Sequence, residues 1–342
     1  MRLAAHLVND EPGRLARFAE DLGYSAVVVG EGYRSDAPSV LGHVAASTRR
    51  ISLTSGVMQI PARPPGLAAL TAVTLDALSG GRFRLGLGVS NPDVSDGWYG
   101  VRFDRPLART REYVDIVRRA LSGAPVRYQG DFHRLPAGGR DRAPLQLDVP
   151  EGTDIPLYIA AVSAANLRLT GEIADGWIGA FVSPESLAGA VAELRAGRAA
   201  AGRDLTGFEV MPSLPTMFAD DTDTAIDRLR GHYVHFLGMG DPLHNVYAGA
   251  ARRMGFEHEL AVVHDLIAAD ERAKAAAAIP AELIDRTALV GPVARVADRI
   301  RAYRESGATT LTIMLSPART DHEGRLRLLR KAAEALDLSS AA

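Results

Sequence analysis

Along the chain a short apolar run is followed, again and again, by a longer amphipathic segment. The apolar runs at 3–8, 26–29, 51–55, 83–87, 157–160, 177–180, 208–217 and 310–314 have the length of strands. Ala26-Val27-Val28-Val29 is apolar without interruption, as a parallel strand covered on both faces must be. Between them, segments 12–22, 38–47, 64–78, 105–121, 164–173, 187–201, 224–237 and 293–305 read as helices. In the first of these Leu15, Phe18, Ala19 and Leu22 form the apolar stripe. Local punctuation agrees. Ser79-Gly80-Gly81 stops the third helix, and Pro106 opens the fourth, where a missing N–H costs nothing. Strand–helix alternation repeated eight times predicts an α/β fold, a (β/α)8 TIM barrel, with a doubly wound open sheet as the alternative. Two insertions are expected: a small hairpin at 126–135, carrying Gly130-Asp131, before strand five, and extra helices at 241–284 between strands seven and eight. A length of 342 residues suits one elaborated barrel, so residues 1–342 are read as a single domain.

Composition narrows function by exclusion. Without cysteine there is no disulfide, thiolate metal site or Cys nucleophile, which fits a cytoplasmic protein. A net charge of −2 speaks against a nucleic-acid partner, so an anionic ligand must be met by local arginines or helix N-termini. The N-terminus lacks the pattern of a signal peptide, and no apolar stretch of about 18 residues predicts a membrane span. Gly-x-Ser-x-Gly is absent, which removes the hydrolase nucleophile elbow.

A barrel carries its chemistry at the C-terminal ends of its strands, and that rule selects a short list. Strand one ends at His6 and strand two runs into Glu31. Both titrate and could move a proton; the alternatives are a packed core-edge histidine and a carboxylate paired with Arg34 or a backbone amide. The small residues Gly86, Gly88, Ser90 and Asn91 allow close backbone approach. Pro92-Asp93 follows instead of a third glycine opening a helix, so the dinucleotide fingerprint fails. Ala160, Ala161, Val162 and Ser163 lead from a strand into a helix, where free N–H groups hold a phosphate or simply make a tight turn. His232, His235 and His244 lack the carboxylate that a metal site wants, and no metal is expected. Arg102, Arg105, Arg109 and Arg111 form a solvated helix face or meet an anionic tail.

Several segments together resemble the luciferase-like oxidoreductases. Arg50-Ile51-Ser52-Leu53-Thr54-Ser55-Gly56-Val57 resembles that family's third strand, and Leu75-Asp76-Ala77-Leu78-Ser79-Gly80-Gly81-Arg82-Phe83 continues the likeness. Leu85-Gly86-Leu87-Gly88-Val89-Ser90-Asn91-Pro92, Gly97-Trp98-Tyr99-Gly100, 106–113, Gly171-Glu172-Ile173-Ala174-Asp175-Gly176-Trp177 and Leu289-Val290-Gly291-Pro292 resemble the branch that uses coenzyme F420. The resemblance implies a bulge at Ser55, Gly56 and Val57 with a non-prolyl cis peptide behind the flavin ring. It also implies a ring or ribityl contact at 86–91, a phosphate at 160–163, and a substrate face at 31–36. Gly32 stands where several subfamilies carry a catalytic histidine, which leaves Glu31 and Tyr33 as proton donors, and Pro38 alters the expected pocket rim.

The function so implied is hydride transfer between C5 of F420 and a C=C, C=N or C=O bond of a small organic substrate, the cofactor carrying the hydride chemistry. The alternatives are an FMN-dependent monooxygenase and a cofactor-binding protein without turnover. Homodimerisation is a further expectation from the family.

Overall fold

The computed structural model describes residues 1–32, 35–138, 142–318 and 320–341. Eight parallel strands run in chain order: β1 (Arg2–His6), β2 (Ala26–Val29), β3 (Ser52–Ser55), β4 (Phe83–Gly88), β5 (Leu157–Ala160), β6 (Gly176–Ala180), β7 (Glu209–Phe218) and β8 (Thr310–Met314). Each pairs with the next, and β8 returns to β1 with Ala5 opposite Ile313 and His6 opposite Met314. The sheet is therefore a closed barrel, and the open-sheet alternative falls.

Nine helices frame it: α1 (Pro12–Asp21), α2 (Ala37–Ser47), α3 (Pro65–Ser79), α4 (Pro106–Leu121), α5 (Ala164–Ile173), α6 (Pro184–Ala200), α7 (Thr222–Leu237), α8 (Val293–Glu305) and α9 (His322–Ala341). All but α7 pack side by side as the outer ring, α9 closing it between α8 and α1. Their inward faces meet the outward residues of the strands. Leu15, Leu41, Leu53, Leu85, Trp177 and Ile313 are all essentially sealed from water in this layer. Each large side chain so buried contributes about 1.5–3 kcal/mol, which makes this layer the main source of stability.

Strand register sorts the barrel interior into levels. At the base Glu209 accepts hydrogen bonds from the Tyr158 hydroxyl (2.6 Å), Arg84 (2.8 Å) and Arg2 (3.2 Å). Burial alone would raise its carboxyl, but bonds from Thr310 and Tyr158 and the two guanidinium charges hold it below the usual carboxylate range. Above it Ala4, Ala26, Val28, Ile178 and Met211 fill the middle with apolar atoms. The barrel is a solid plug, and only its upper rim is open to chemistry.

The two expected insertions are present. Tyr128–Gln129 pairs antiparallel with Arg134–Leu135 as the hairpin. Helices Val246–Arg253, Glu257–Ala268, Arg272–Ala278 and Ala281–Thr287 lie between β7 and β8, followed by a strand stub, Leu289–Gly291, that pairs with β7. With α7 they build a second core around Tyr233, Leu260, Val263 and Leu283, which covers one side of the mouth. Among the described residues no helix is long and apolar enough to cross a membrane.

Candidate active site

The rim is shaped first by an irregularity. After Ser55 strand β3 stops pairing, the Gly56–Val57 peptide is cis, and pairing with β4 resumes at Met58 opposite Leu87. The Ser55 hydroxyl bridges the gap: it accepts from the Gly86 N–H (2.8 Å) and donates to the Gly86 carbonyl (2.9 Å). A side chain on Gly86 would lie 1.9 Å from the Ser55 carbonyl oxygen, and one on Gly88 would lie 2.5 Å from a Val57 methyl. Both glycines thus end strand β4 as room for the bulge. Ser55 is fully buried, with its hydroxyl engaged in this bridge.

The end of the β4 loop differs from the sequence reading. Ser90 has a left-handed backbone (φ 65°), and Asn91 caps a short helix, Pro92–Gly97, by accepting from the Val94 N–H (3.0 Å). Proline at the first helical position opens this short helix, which the sequence reading did not include.

Glu31 is engaged by residues that follow β3. Its carboxylate takes both arms of Arg63 (2.5 and 3.0 Å) and the Gln59 N–H (2.8 Å), while its own N–H donates to the Val57 carbonyl (3.2 Å). Only 4% of the Glu31 side chain is exposed. Both carboxylate oxygens are thus engaged, Oε1 by Arg63 and Oε2 by Arg63 and the Gln59 N–H. Among the described residues its charged partner is Arg63, and the pair ties the loop after β2 to the bulge after β3. Tyr33, the other donor suggested by sequence, lies outside the described residues, as does Arg34.

His6 ends β1 beside the bulge, its Nε2 on the Gly30 and Gly56 side of the mouth. Its Nδ1 is buried without a partner. Burial lowers the imidazole from its ordinary 6.5 to about 4, so the ring is neutral at physiological pH.

Next around the rim, Ala160 faces the barrel interior beside Val57 and Gly88. The Ala161 carbonyl accepts from the Trp177 indole (2.9 Å), and the Val162 carbonyl accepts from Arg253 of the insertion (3.3 Å). Ser163 caps α5 by accepting from the Asn166 N–H (3.3 Å). Ala164 and Ala165 are exposed, so the first N–H groups of α5 face solvent. The Asn166 amide donates to the Ala160 carbonyl (3.5 Å), while its Oδ1, an acceptor, is buried and unpartnered. The turn at 160–163 is therefore an open helix N-terminus with a cation beside it, as an anion site requires. Arg253 was invisible to sequence reasoning because it comes from an insertion helix about 90 positions away.

The arginine group disperses. Arg111 pairs with Glu172, Arg105 with Asp131, and Arg109 stacks on the Phe132 ring at 4.4 Å. Arg102 and Arg109 line a cleft of about 250 Å³ with Val89 and Phe103, outside the β4 loop and off the barrel axis. Over the mouth itself is a cleft of about 280 Å³. Ala180, Ser213, Pro215 and Met314 form its strand side, and Phe181, His232, Phe236 and Tyr247 its roof. His232 thus belongs to this cleft, whereas His244 pairs with Asp241 (2.7 Å) and His235 is exposed. Among the described residues no three His, Asp or Glu side chains converge as metal ligands.

Known proteins resemble this chain in sequence and in fold. The profile of the luciferase-like monooxygenase family matches residues 8–310. A Mycobacterium tuberculosis protein, whose name assigns it to the coenzyme F420-dependent oxidoreductases, is 37% identical over 314 residues, 89% of this chain and 90% of that protein. The 5,10-methylenetetrahydromethanopterin reductase of Methanopyrus kandleri is 26% identical over 94% of each chain. The solved structure of the coenzyme F420-dependent tetrahydromethanopterin reductase from Methanopyrus kandleri superposes with a TM-score of 0.82 at 23% identity, covering 98% of this chain and 97% of that one.

Proposed function

Because the chain belongs to the luciferase-like monooxygenase family, we propose that it is a coenzyme F420-dependent oxidoreductase, moving a hydride between the deazaflavin C5 and a C=C, C=N or C=O bond of a small organic substrate. The names of its mycobacterial and archaeal relatives support the choice of cofactor within the family. The observation that carries the reading is the cradle at the mouth. Two small residues, Gly88 and Ala160, adjoin Val57 of the bulge, and the chain after Ala160 leads to the exposed N-terminus of α5. That combination fits a flat ring system with a phosphate on a short tether.

In this reading Val57 and Ala160 carry the ring, and the α5 N–H groups with Arg253 hold the phosphate. When bound, the deazaflavin supplies the hydride, and the protein supplies place and electrostatics. Glu31 and Arg63 are positioning residues: they fix the bulge by way of the Gln59 N–H and the Val57 carbonyl. His6, being neutral, offers a hydrogen bond at the mouth and does not act as a cationic acid. The roof excludes water from the cleft and so protects the hydride from loss.

Isotope tracing tests the reaction. Reduced F420 carrying deuterium at C5 is given to the purified protein with a panel of neutral enones, imines and ketones. The proposal expects one deuterium on the reduced carbon of at least one product. A protein that binds F420 and labels no product contradicts it and favours binding without turnover. Oxygen-dependent consumption of reduced FMN with an oxygenated product would favour the monooxygenase reading instead.

A further inference from the structure

The cleft between β6–β8 and the insertion has a chemistry of its own, and we propose that it is the acceptor subsite for a neutral, cyclic carbonyl compound whose polar end is met by the Tyr247 hydroxyl. The inference rests on the oxidoreductase reading above and deepens it by naming the substrate class.

Charge decides the class. None of the ten residues lining the cleft is Arg, Lys, Asp or Glu. An anion or cation entering would shed its hydration with no opposite charge to meet it, whereas a neutral molecule loses little.

Shape points to a ring. The Tyr247 ring stands 5.0 Å from both Phe181 and Phe236, and the His232 ring stands 4.6 Å from Phe236. These are the spacings at which rings offer one another faces and edges, and a cyclic guest joins such a cluster by the same contacts. Phe181, which lines the cleft, has a left-handed backbone (φ 53°), a conformation that costs a non-glycine residue stability.

The polar groups are few and differ in availability. The Tyr233 hydroxyl and Thr287 Oγ1 are bonded to each other at 2.6 Å and are spent. The Tyr247 hydroxyl makes no hydrogen bond among the described residues, and burial raises its pKa, so it is a neutral phenol with a proton to donate. His232 lies one helical turn from Phe236 on the same face of α7, on the cleft side. On the strand side, Met314 pairs in register with His6, which links the cleft to the proposed cofactor cradle at the rim.

The test uses the purified full-length chain, with and without F420, and two probes of the same ring. These are cyclohex-2-en-1-one and its charged analogue 3-oxocyclohex-1-ene-1-carboxylate, followed by saturation-transfer NMR and calorimetry. The neutral probe is expected to bind at least about 10-fold more tightly than the carboxylate. Phe236→Ala and Tyr247→Phe should each weaken it about 5-fold, with F420 affinity unchanged; Tyr247→Phe keeps the ring and the fold and removes only the hydroxyl. Equal binding of the two probes, preference for the carboxylate, no binding of either, or indifference to both substitutions would overturn the proposal. Binding of the neutral probe by a protein that takes up no F420 would instead sink the cofactor reading and leave the cleft assignment standing.

Discussion

At Gly86 a single methyl group meets the backbone. Alanine there would place Cβ 1.9 Å from the Ser55 carbonyl oxygen, and no rotamer change relieves a clash with main chain. Gly86→Ala should lower stability by about 3 kcal/mol and abolish cofactor binding by displacing the bulge, to be read from urea unfolding and F420 fluorescence. The Glu31–Arg63 pair makes a second prediction. Removing one partner of a buried pair strands the other charge, so Glu31→Ala should cost about 3–5 kcal/mol in urea unfolding. Adding Arg63→Met should recover part of that loss, because it removes the stranded charge. His6 gives a pH signature. Its folded pKa of about 4 lies below the ordinary 6.5, so between these values the unfolded chain binds a proton that the folded one refuses. Stability is therefore unaffected above about pH 6.5 and falls as the pH drops toward 4. Urea midpoints at pH 7 and pH 4.5 should differ less for His6→Gln than for the natural chain.

One side chain holds the roof of the mouth together, where two helices meet. Asn245 caps Val246–Arg253 by accepting from the Tyr247 and Ala248 N–H groups, both at 2.9 Å, while its amide donates to the carbonyls of Phe236, Leu237 and Met239 at the end of α7. Asn245→Ala removes a cap and leaves buried carbonyls unpaired, at a cost of about 2 kcal/mol. Because the loss is confined to the roof, the KM of an acceptor substrate should rise while F420 affinity holds, and hydrogen exchange should quicken at 236–248. Elements of this kind were legible in sequence where local chemistry marks their ends. Helices α5 and α8 and strands β5 and β8 fall where periodicity and flanking turns put them. Helix α6 begins three residues before its apolar stripe, because Ser183 and Ser186 cap each other's backbone around Pro184 and start the helix with polar residues. Helix α9, which completes the ring, follows the last strand, and so the alternation that revealed the others does not announce it.

Across the whole molecule, the barrel rule located the mouth correctly but could not say which residues there are engaged with one another. Ser55 with Gly86, and Glu31 with Arg63, meet across 31 and 32 positions, and only the closed fold shows that these pairs are saturated. The same closure brings Arg253 to the turn at 160–163 and lays Phe236 and Tyr247 over Ser213 and Met314, contacts that no spacing in the sequence encodes. What remains open to a ligand is the pair of small residues beside Val57, the N-terminus of α5 and the aromatic cleft. The account therefore stands on one claim, that this mouth receives a deazaflavin. Titration of the purified protein with F420 and with FMN, side by side and read by quenching of the Trp98 and Trp177 emission, tests it directly. Micromolar binding of F420, tighter than that of FMN, is the predicted result; tight FMN binding with none for F420, or binding of neither, would contradict it.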